Sequence, residues 1–402
     1  MMTEIAIPYG AYWSTPFARW QGSLAHLHSL KFAAHVAKGA LARRKIDTSA
    51  IEHAALGLSV PQRGAFYGLP WLMADLGAGH VAGPTISQAC ATGARLLQSV
   101  ASTIREGDAE VALAIACDRV SNGPHIYYPA PHAPGGTGEH ENWVLDNFNC
   151  DPYTGVNMLT TAENVAREYG LTTQAQNELT VLRYAQYADA LKDDSAFLRR
   201  FMDLPFEVPD ARFKKTQVTL AGDEGIFPTT QEGLEKLRPV MEGGTVTFGG
   251  QTHPADGNAG LILTTPSRAA EFSRDRNIGI RIVSFGQSRE RPAYMPAAPA
   301  PAARRALQAA GLSVSDLAAI KTHNPFIVND LVMGKELGIA PESFNDYGCS
   351  LVWGHPQAPM GLRAVIELIE TLVIKGGGYG LFVGCAAGDS AMAVIIKVQD
   401  QS

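Results

Sequence analysis

The stretch Pro84-Thr85-Ile86-Ser87-Gln88-Ala89-Cys90-Ala91-Thr92-Gly93 reads as a strand that stops abruptly at a cysteine and turns, through small residues, into a helix. Leu97, Val100, Ala101 and Ile104 sit at i, i+3, i+4 and i+7 of that helix, and Gly107 stands where its C-terminus wants a positive φ. An apolar run over residues 110–116 then predicts a strand just ahead of Cys117. The pattern recurs near the C-terminus. Leu362, Val365, Ile366, Ile369, Leu372 and Val373 spell a second amphipathic helix, glycines 376–378 end it, and residues 379–383 form a strand ahead of Cys385. The repetition predicts an α/β chain of two similar halves, with parallel-type strands crossed over by helices.

Composition supports a large buried core: 402 residues, 46% hydrophobic and 18% charged, which excludes intrinsic disorder. A net charge of -6, with no basic run longer than Arg43-Arg44-Lys45, argues against a nucleic-acid partner. The most apolar runs, such as 111–116 and 381–383, are too short for a membrane span, and the start around Glu4 and Pro8 lacks a secretory signal. A cytoplasmic address is therefore expected. Five cysteines, an odd number without a C-x-x-C pair, point to thiols rather than disulfides or zinc. Forty glycines spread along the chain fit one tightly connected body, with residues 292–303, rich in Pro and Ala, as the only linker-like segment.

Between the halves the texture changes. A loop with Tyr127, Tyr128, Pro129, Pro131 and Pro134 leads to two capping-box spellings, Thr160 with Glu163 and Thr173 with Gln176. These predict a largely helical insertion, its second helix over 173–191, then a polar hairpin-like region through Lys214, Lys215 and Asp223. Strand texture returns at 244–248.

Four segments can carry chemistry. Cys90 at a helix start lies against unpaired amides and the positive helix end, which favours thiolate, although a buried structural thiol fits the same turn. His355, wedged in Gly354-His355-Pro356 after Tyr347-Gly348-Cys349-Ser350-Leu351-Val352-Trp353 and before a glycine-started helix at Gly361, is either a general base or a capping or core histidine. Gly384-Cys385-Ala386-Ala387-Gly388-Asp389 puts a second thiol on a small-residue turn whose amides can form an oxyanion nest, or simply closes a strand. Lys321-Thr322-His323-Asn324-Pro325-Phe326, taken alone, reads as a loop.

Jointly and in order, Cys90-Ala91-Thr92-Gly93, His323-Asn324-Pro325-Phe326, Gly354-His355-Pro356 and Cys385-Ala386-Ala387-Gly388 resemble motifs of the thiolase family. These are the nucleophile elbow, H-E-A-F, G-H-P and C-x-G of acetyl-CoA acetyltransferases and 3-ketoacyl-CoA thiolases. The resemblance covers nearly the whole chain. Asn157-Met158 with Thr161-Ala162-Glu163-Asn164 resembles the family's pantetheine-loop segment, Lys236-Leu237-Arg238-Pro239 its K-L-R-P, and residues 247–257 its T-A-G-N-x-S-x-x-x-D-G stretch. Departures are Asn324 for the usual Glu, Cys349 for a glycine, Trp353 for a leucine, Ala387 for the C-x-G glycine, and Thr252-His253 for the Ser and the small residue after it.

The resemblance implies a thiolase-like five-layer α-β-α-β-α fold built from two similar halves. Residues 1–120, completed by 240–270, form one half and 271–402 the other, with 121–239 as a helical loop-domain insertion. It implies Cys90 as nucleophile, His355 as its base, Cys385 as second acid/base and His323 as holder of an oxyanion-hole water. Backbone amides of Cys90 and of the Cys385 turn would form the other hole. Met158, Thr252, Asn324 and Phe326 would contact substrate. Acyl-CoA and CoA would be the small-molecule partners, with no metal and no cofactor beyond CoA thioesters as substrates. A homodimer or homotetramer is expected, with residues 122–143 as either a tetramer contact or a surface lid. Tyr67, Trp71, Tyr127, Tyr128, Tyr347 and Trp353 either pack loops and interfaces or shape an acyl pocket with aromatic rings. A condensing enzyme acting on acyl carrier protein is disfavoured by Cys385. A non-catalytic thiolase-like subunit that binds acyl-CoA, or one dependent on an accessory partner, is the alternative raised by Asn324, Ala387 and Trp353.

Overall fold

Along Val111–Arg119 the side chains alternate in size and destination. Val111, Leu113, Ile115 and Cys117 join one apolar cluster, and Ala112, Ala114 and Ala116 join another. A strand covered on both faces must bury both sets, with small residues where a helix presses closest. The computed structural model describes residues 4–400 and shows what covers each face.

The N-terminal half runs β1 (Ile5–Ala6), α1 (Ser29–Arg43), β2 (His53–Gly57), α2 (Gly68–Leu76), β3 (Thr85–Ile86), α3 (Thr92–Glu106) and β4 (Val111–Arg119). After an excursion that contains α4 (Met158–Glu168) and α5 (Thr173–Ala190), β5 (Ala255–Thr264) returns to the same sheet. The C-terminal half runs β6 (Ile278–Arg289), α6 (Pro299–Ala310), β7 (Leu317–His323), α7 (Ile327–Leu337), α8 (Ala358–Ile374), β8 (Gly377–Ala386) and β9 (Ser390–Asp400). The strand order is β7-β8-β9-β6-β1-β5-β4-β2-β3. Within it, β2-β4-β5-β1 and β7-β8-β9-β6 share one pattern: a parallel pair followed by two antiparallel ones. Strand β1 pairs with both β5 and β6 and so joins the two sheets edge to edge.

Five layers follow from the clusters. Helices α1 and α2 cover the outer face of the first sheet, α6 the outer face of the second, and α3 with α8 fill the space between. Leu97, Val100, Ala101 and Ile104 face this middle layer, as their spacing predicts. The two central helices touch at glycines. A Cβ on Gly93 would lie 2.7 Å from the Leu362 amide nitrogen and 2.8 Å from Gly361 Cα. No side chain fits there, so the helices approach backbone to backbone.

The excursion is tied to this core by buried ions. Arg183 on α5 meets Asp330 at 2.9 Å, and Arg363 on α8 meets Asp223 at 2.5 Å and Glu367 at 3.0 Å. Lys321 meets the same Glu367 at 2.8 Å. The Arg363 guanidinium also stacks on Trp353 and Phe17, at 4.3 and 4.7 Å from their ring centres. No helix among the described residues is long and apolar enough to cross a membrane.

Several local expectations are corrected. Residues 292–303 are no linker: they hold a turn and the start of α6, where Ala298, Ala302 and Ala303 are packed in the core. Their Pro and Ala content reflects tight helix-on-sheet packing. The helix expected to start at Gly361 starts at Ala358. The capping residues are Asn157 and Thr172, whose side chains accept from the amides of Thr160 and Ala175. Glu163, Thr173 and Gln176 instead grip residues 245–246. Glu163 accepts the amides of Thr245 and Val246 at 2.8 and 2.6 Å, Thr173 donates to the Thr245 carbonyl, and Gln176 bonds its hydroxyl. With its amides taken by a carboxylate, 244–248 cannot pair as the expected strand.

Replacing Gly93 by Ala is expected to lower folding stability by about 1–3 kcal/mol through overpacking at the helix crossing. Gly79→Ala, where a Cβ meets nothing within 4 Å, is expected to change it by less than about 0.5 kcal/mol. Denaturant midpoints of the two variants compare them directly.

Candidate active site

Cys90 sits one residue before the N-cap of α3, on an elbow rather than at the end of a long strand, since β3 stops at Ile86. The elbow holds itself. Ala89 takes a left-handed φ of 44°, and the Thr92 hydroxyl donates to the Ala89 carbonyl at 2.6 Å while accepting the Gln88 amide at 2.8 Å. The thiol is buried and donates to Gln357 Oε1 at 3.3 Å. Burial pushes its pKa up to about 11, and the Asp118 charge adds to this, against the amides of Ala387 and Cys90 that pull it down. Expectation and structure differ here: the helix start does aim donors at the sulfur, but desolvation outweighs them, so the resting group is a thiol.

His355 and His323 face this sulfur. One donor atom each from Cys90, His323 and His355 fall within 4.8 Å of one another, and the imidazole centres are 4.3 Å apart. The backbone of His355 is fixed by its amide bond to the His253 carbonyl at 2.8 Å, but neither of its ring nitrogens has a hydrogen-bond partner among the described residues. Burial, then the charge of His253, drives its pKa down to about 3. His323 is held well below the ordinary value by burial and by His355. Both rings are neutral at working pH. Such a thiol and two imidazoles suit proton transfer, and they are also a donor set that zinc accepts.

The tautomer of His323 follows from its support. Ser350 Oγ accepts the Asn324 amide at 3.1 Å and donates to Asn324 Oδ1 at 3.1 Å, so its 2.8 Å contact with His323 Nδ1 is satisfied when that nitrogen carries the proton. His323 Nε2, which lacks a partner among the described residues, is then an acceptor. Asn324 serves as a brace and corrects the expected substrate contact. It is fully buried, with Nδ2 donating to Asp330 at 2.8 Å and Oδ1 accepting from Ser350 and Leu351.

Cys385 lies at the end of β8, fully buried, and accepts from Asn329 Nδ2 at 3.3 Å. Burial, and then Cys90, raise its pKa well above the ordinary thiol value. Asp118, at the end of β4, holds the start of α8 by accepting the Ala358 amide at 2.9 Å, together with the Ser59 hydroxyl and the Val60 amide. Burial lifts it to about 7, against these donors.

A cavity of about 470 Å³ opens onto Cys90 and His355. Met158, Thr252 and Phe326 line it; Asn324, His323 and Cys385 do not. None of the six candidate aromatic residues lines the cavity. Trp143, Phe148 and Phe326 supply the rings, whereas Tyr67 is 70% exposed, Trp353 is stacked on Arg363, and Tyr347 is stacked on Phe197. Gln357, Ser350, Asn329 and Asp118 escaped the sequence reading. Only Asp118 carried a signal, a charge ending an apolar strand.

Comparison with known proteins agrees with this geometry. Residues 11–267 match the family model for the thiolase N-terminal domain, and residues 277–398 match that for the thiolase C-terminal domain. The chain belongs to the thiolase family. It is 32% identical to an acetyl-CoA acetyltransferase of Escherichia coli, over 95% of this chain and 96% of that one. A beta-ketothiolase of Cupriavidus necator is 28% identical over 99% of this chain and 100% of its own. The crystal structure of human mitochondrial 3-ketoacyl-CoA thiolase superposes with a TM-score of 0.88 at 25% identity, covering 98% of this chain and 99% of that one. The five-layer architecture is thus that of thiolases.

Because the Cys90 thiol is raised to about 11, its thiolate fraction grows throughout the neutral range. Alkylation by iodoacetamide in this thiolase, followed at Cys90 by peptide mass spectrometry, is expected to accelerate about tenfold per pH unit from 7 to 10 without levelling. A plateau near pH 8.5 would show that burial does not govern this sulfur.

Proposed function

We propose that the protein is a thiolase-type acyltransferase that makes or cleaves a 3-ketoacyl-CoA through an acyl-enzyme on Cys90, with acyl-CoA and CoA as its partners. The observation that carries this reading is the convergence of Cys90, His323 and His355 within 4.8 Å of one another, with Cys90 and His355 opening onto the cavity. The relatives support it by their names, and one of the similar solved structures, with a TM-score of 0.86, is a 3-ketoacyl-CoA thiolase in complex with CoA.

The chemistry follows from the dryness of the site. A thiol near 11 facing an imidazole near 3 does not ionise on its own. The proton passes from sulfur to His355 as the sulfur attacks the substrate carbonyl, so negative charge appears on the carbonyl oxygen instead of remaining on sulfur. The amides of Cys90 and Ala387, already aimed at the sulfur, are placed to receive that oxygen. A water accepted by His323 Nε2 would donate its other proton toward the second oxyanion, beside His355. Cys385 first gives its thiol proton to the departing CoA thiolate or enolate; the thiolate so formed, steadied by the Asn329 amide, then takes the α-proton of the incoming acyl-CoA or the thiol proton of incoming CoA, and His355 returns its proton to Cys90 as the acyl group leaves. Met158, Thr252 and Phe326 border the thioester path. The scheme needs CoA thioesters and no other group, and it belongs to the cytoplasmic homodimer or homotetramer expected of the sequence.

The protein incubated with acetyl-CoA is expected to carry an acetyl group at Cys90, detectable by peptide mass spectrometry and absent in Cys90→Ala. Cys385→Ala is expected to keep the acyl adduct while losing thiolysis of 3-ketoacyl-CoA by about 10²–10⁴-fold, the usual weight of one acid/base group. A folded wild-type chain that acquires no adduct would favour the non-catalytic, acyl-CoA-binding subunit.

A further inference from the structure

Gln357 occupies a costly position with no structural need for its side chain. It precedes α8 with φ 62° and ψ -105°, left-handed space that favours glycine and that other residues hold under strain. The helix start does not depend on its carboxamide, because Asp118 accepts the Ala358 amide. Yet the side chain is only 5% exposed, lines the cavity, and puts Oε1 3.3 Å from Cys90 Sγ. Its Nε2 donates to no described residue. Strain of this kind, kept beside a nucleophile, calls for a chemical reason.

The distance supplies one. When a carbonyl carbon bonds to Sγ, its oxygen lies beside the sulfur, and a carboxamide that already reaches that sulfur at 3.3 Å is on hand to donate to it. A carboxamide also presents an acceptor and a donor that exchange by a half-turn. Resting on the proposed acyl-transfer reading, we infer that Gln357 is a further catalytic residue of this protein, holding the Cys90 thiol through Oε1 and donating Nε2–H to the oxygen of the tetrahedral intermediate. In that step the Sγ–H proton goes to His355, a sulfur lone pair forms the Sγ–C bond, and the carbonyl π pair moves onto oxygen. Collapse reforms the carbonyl and expels CoA thiolate or the enolate. With the thiol proton gone, Oε1 loses its donor and faces a negative oxygen, so the half-turn that presents Nε2–H is favoured.

Three variants test this, with Cys90 acylation by acetyl-CoA timed by mass spectrometry. Gln357→Gly relieves the backbone and is expected to leave thermal stability equal or higher, while slowing acylation about 10²–10³-fold, as loss of one oxyanion donor does. Gln357→Leu is expected to be slowed at every pH. Gln357→Glu keeps the shape but can donate only when its carboxyl is protonated, so its rate relative to wild type is expected to rise as pH falls. The wild-type profile, which carries the titration of the neighbouring Cys90, Cys385, His323, His355 and Asp118, is the reference against which the Gln357→Glu profile is read. Wild-type acylation together with an equally fast Gln357→Gly, or a Gln357→Glu ratio flat with pH, overturns the inference alone. Absence of acylation in the wild type removes the proposed function and this inference with it.

Discussion

The contact on which the rest of the structure depends is the backbone approach of two helices at Gly93 and Gly361. The elbow cysteine lies three residues before one glycine and Gln357 four residues before the other, so the approach sets how near the start of α3 comes to the start of α8. Any side chain at the crossing would push the helices apart and carry Cys90 away from His355 and Gln357. Each half of the chain also reaches across to the other half's central helix. Asp118, at the end of β4, caps α8, while the turn after β8 aims the Ala387 amide at Cys90, ahead of α3. The site is therefore built from both halves, at the one place where their central helices meet.

Beneath the site the polar groups are braced, not solvated. Asp330 accepts from Arg183, Thr322, Asn324 and Asn345, and Asn324 in turn positions Ser350 and hence His323. Breaking one member of such a network strands a charge in the interior, so it holds one arrangement. Arg183 comes from the excursion, and Arg363 reaches Asp223 in the same excursion, which fixes the cavity wall carrying Trp143, Phe148 and Met158 to the catalytic layer. Because they are buried, these thiols and imidazoles rest uncharged.

Much of the fold was legible in the sequence because buried elements obey strict periods. Residues 97–104 and 362–373 repeat with helical spacing, and 111–116 and 379–383 run apolar between glycines and charges. What misled were residues whose polarity serves distant partners. Glu163 and Gln176 look like capping residues but hold Thr245 and Val246, and the alanines of 298–303 look like a linker but fill the space against β6 and β9. Aromatic residues left two readings open for a similar reason. Trp353 and Tyr347 stand near the G-H-P motif in sequence, yet stack against Arg363 and Phe197, leaving Trp143 and Phe148 to shape the cavity.

By itself the sequence determined the two α/β halves and the family, and it singled out Cys90, His323, His355 and Cys385 as candidates, since periodicity and motif order survive without coordinates. Only the tertiary structure decided that Cys90 rests as a thiol, that Asn324 braces instead of binding, and that Gln357 faces the sulfur. Desolvation and hydrogen-bond partnership depend on which groups far apart along the chain are brought together, and no local pattern of residue types encodes either.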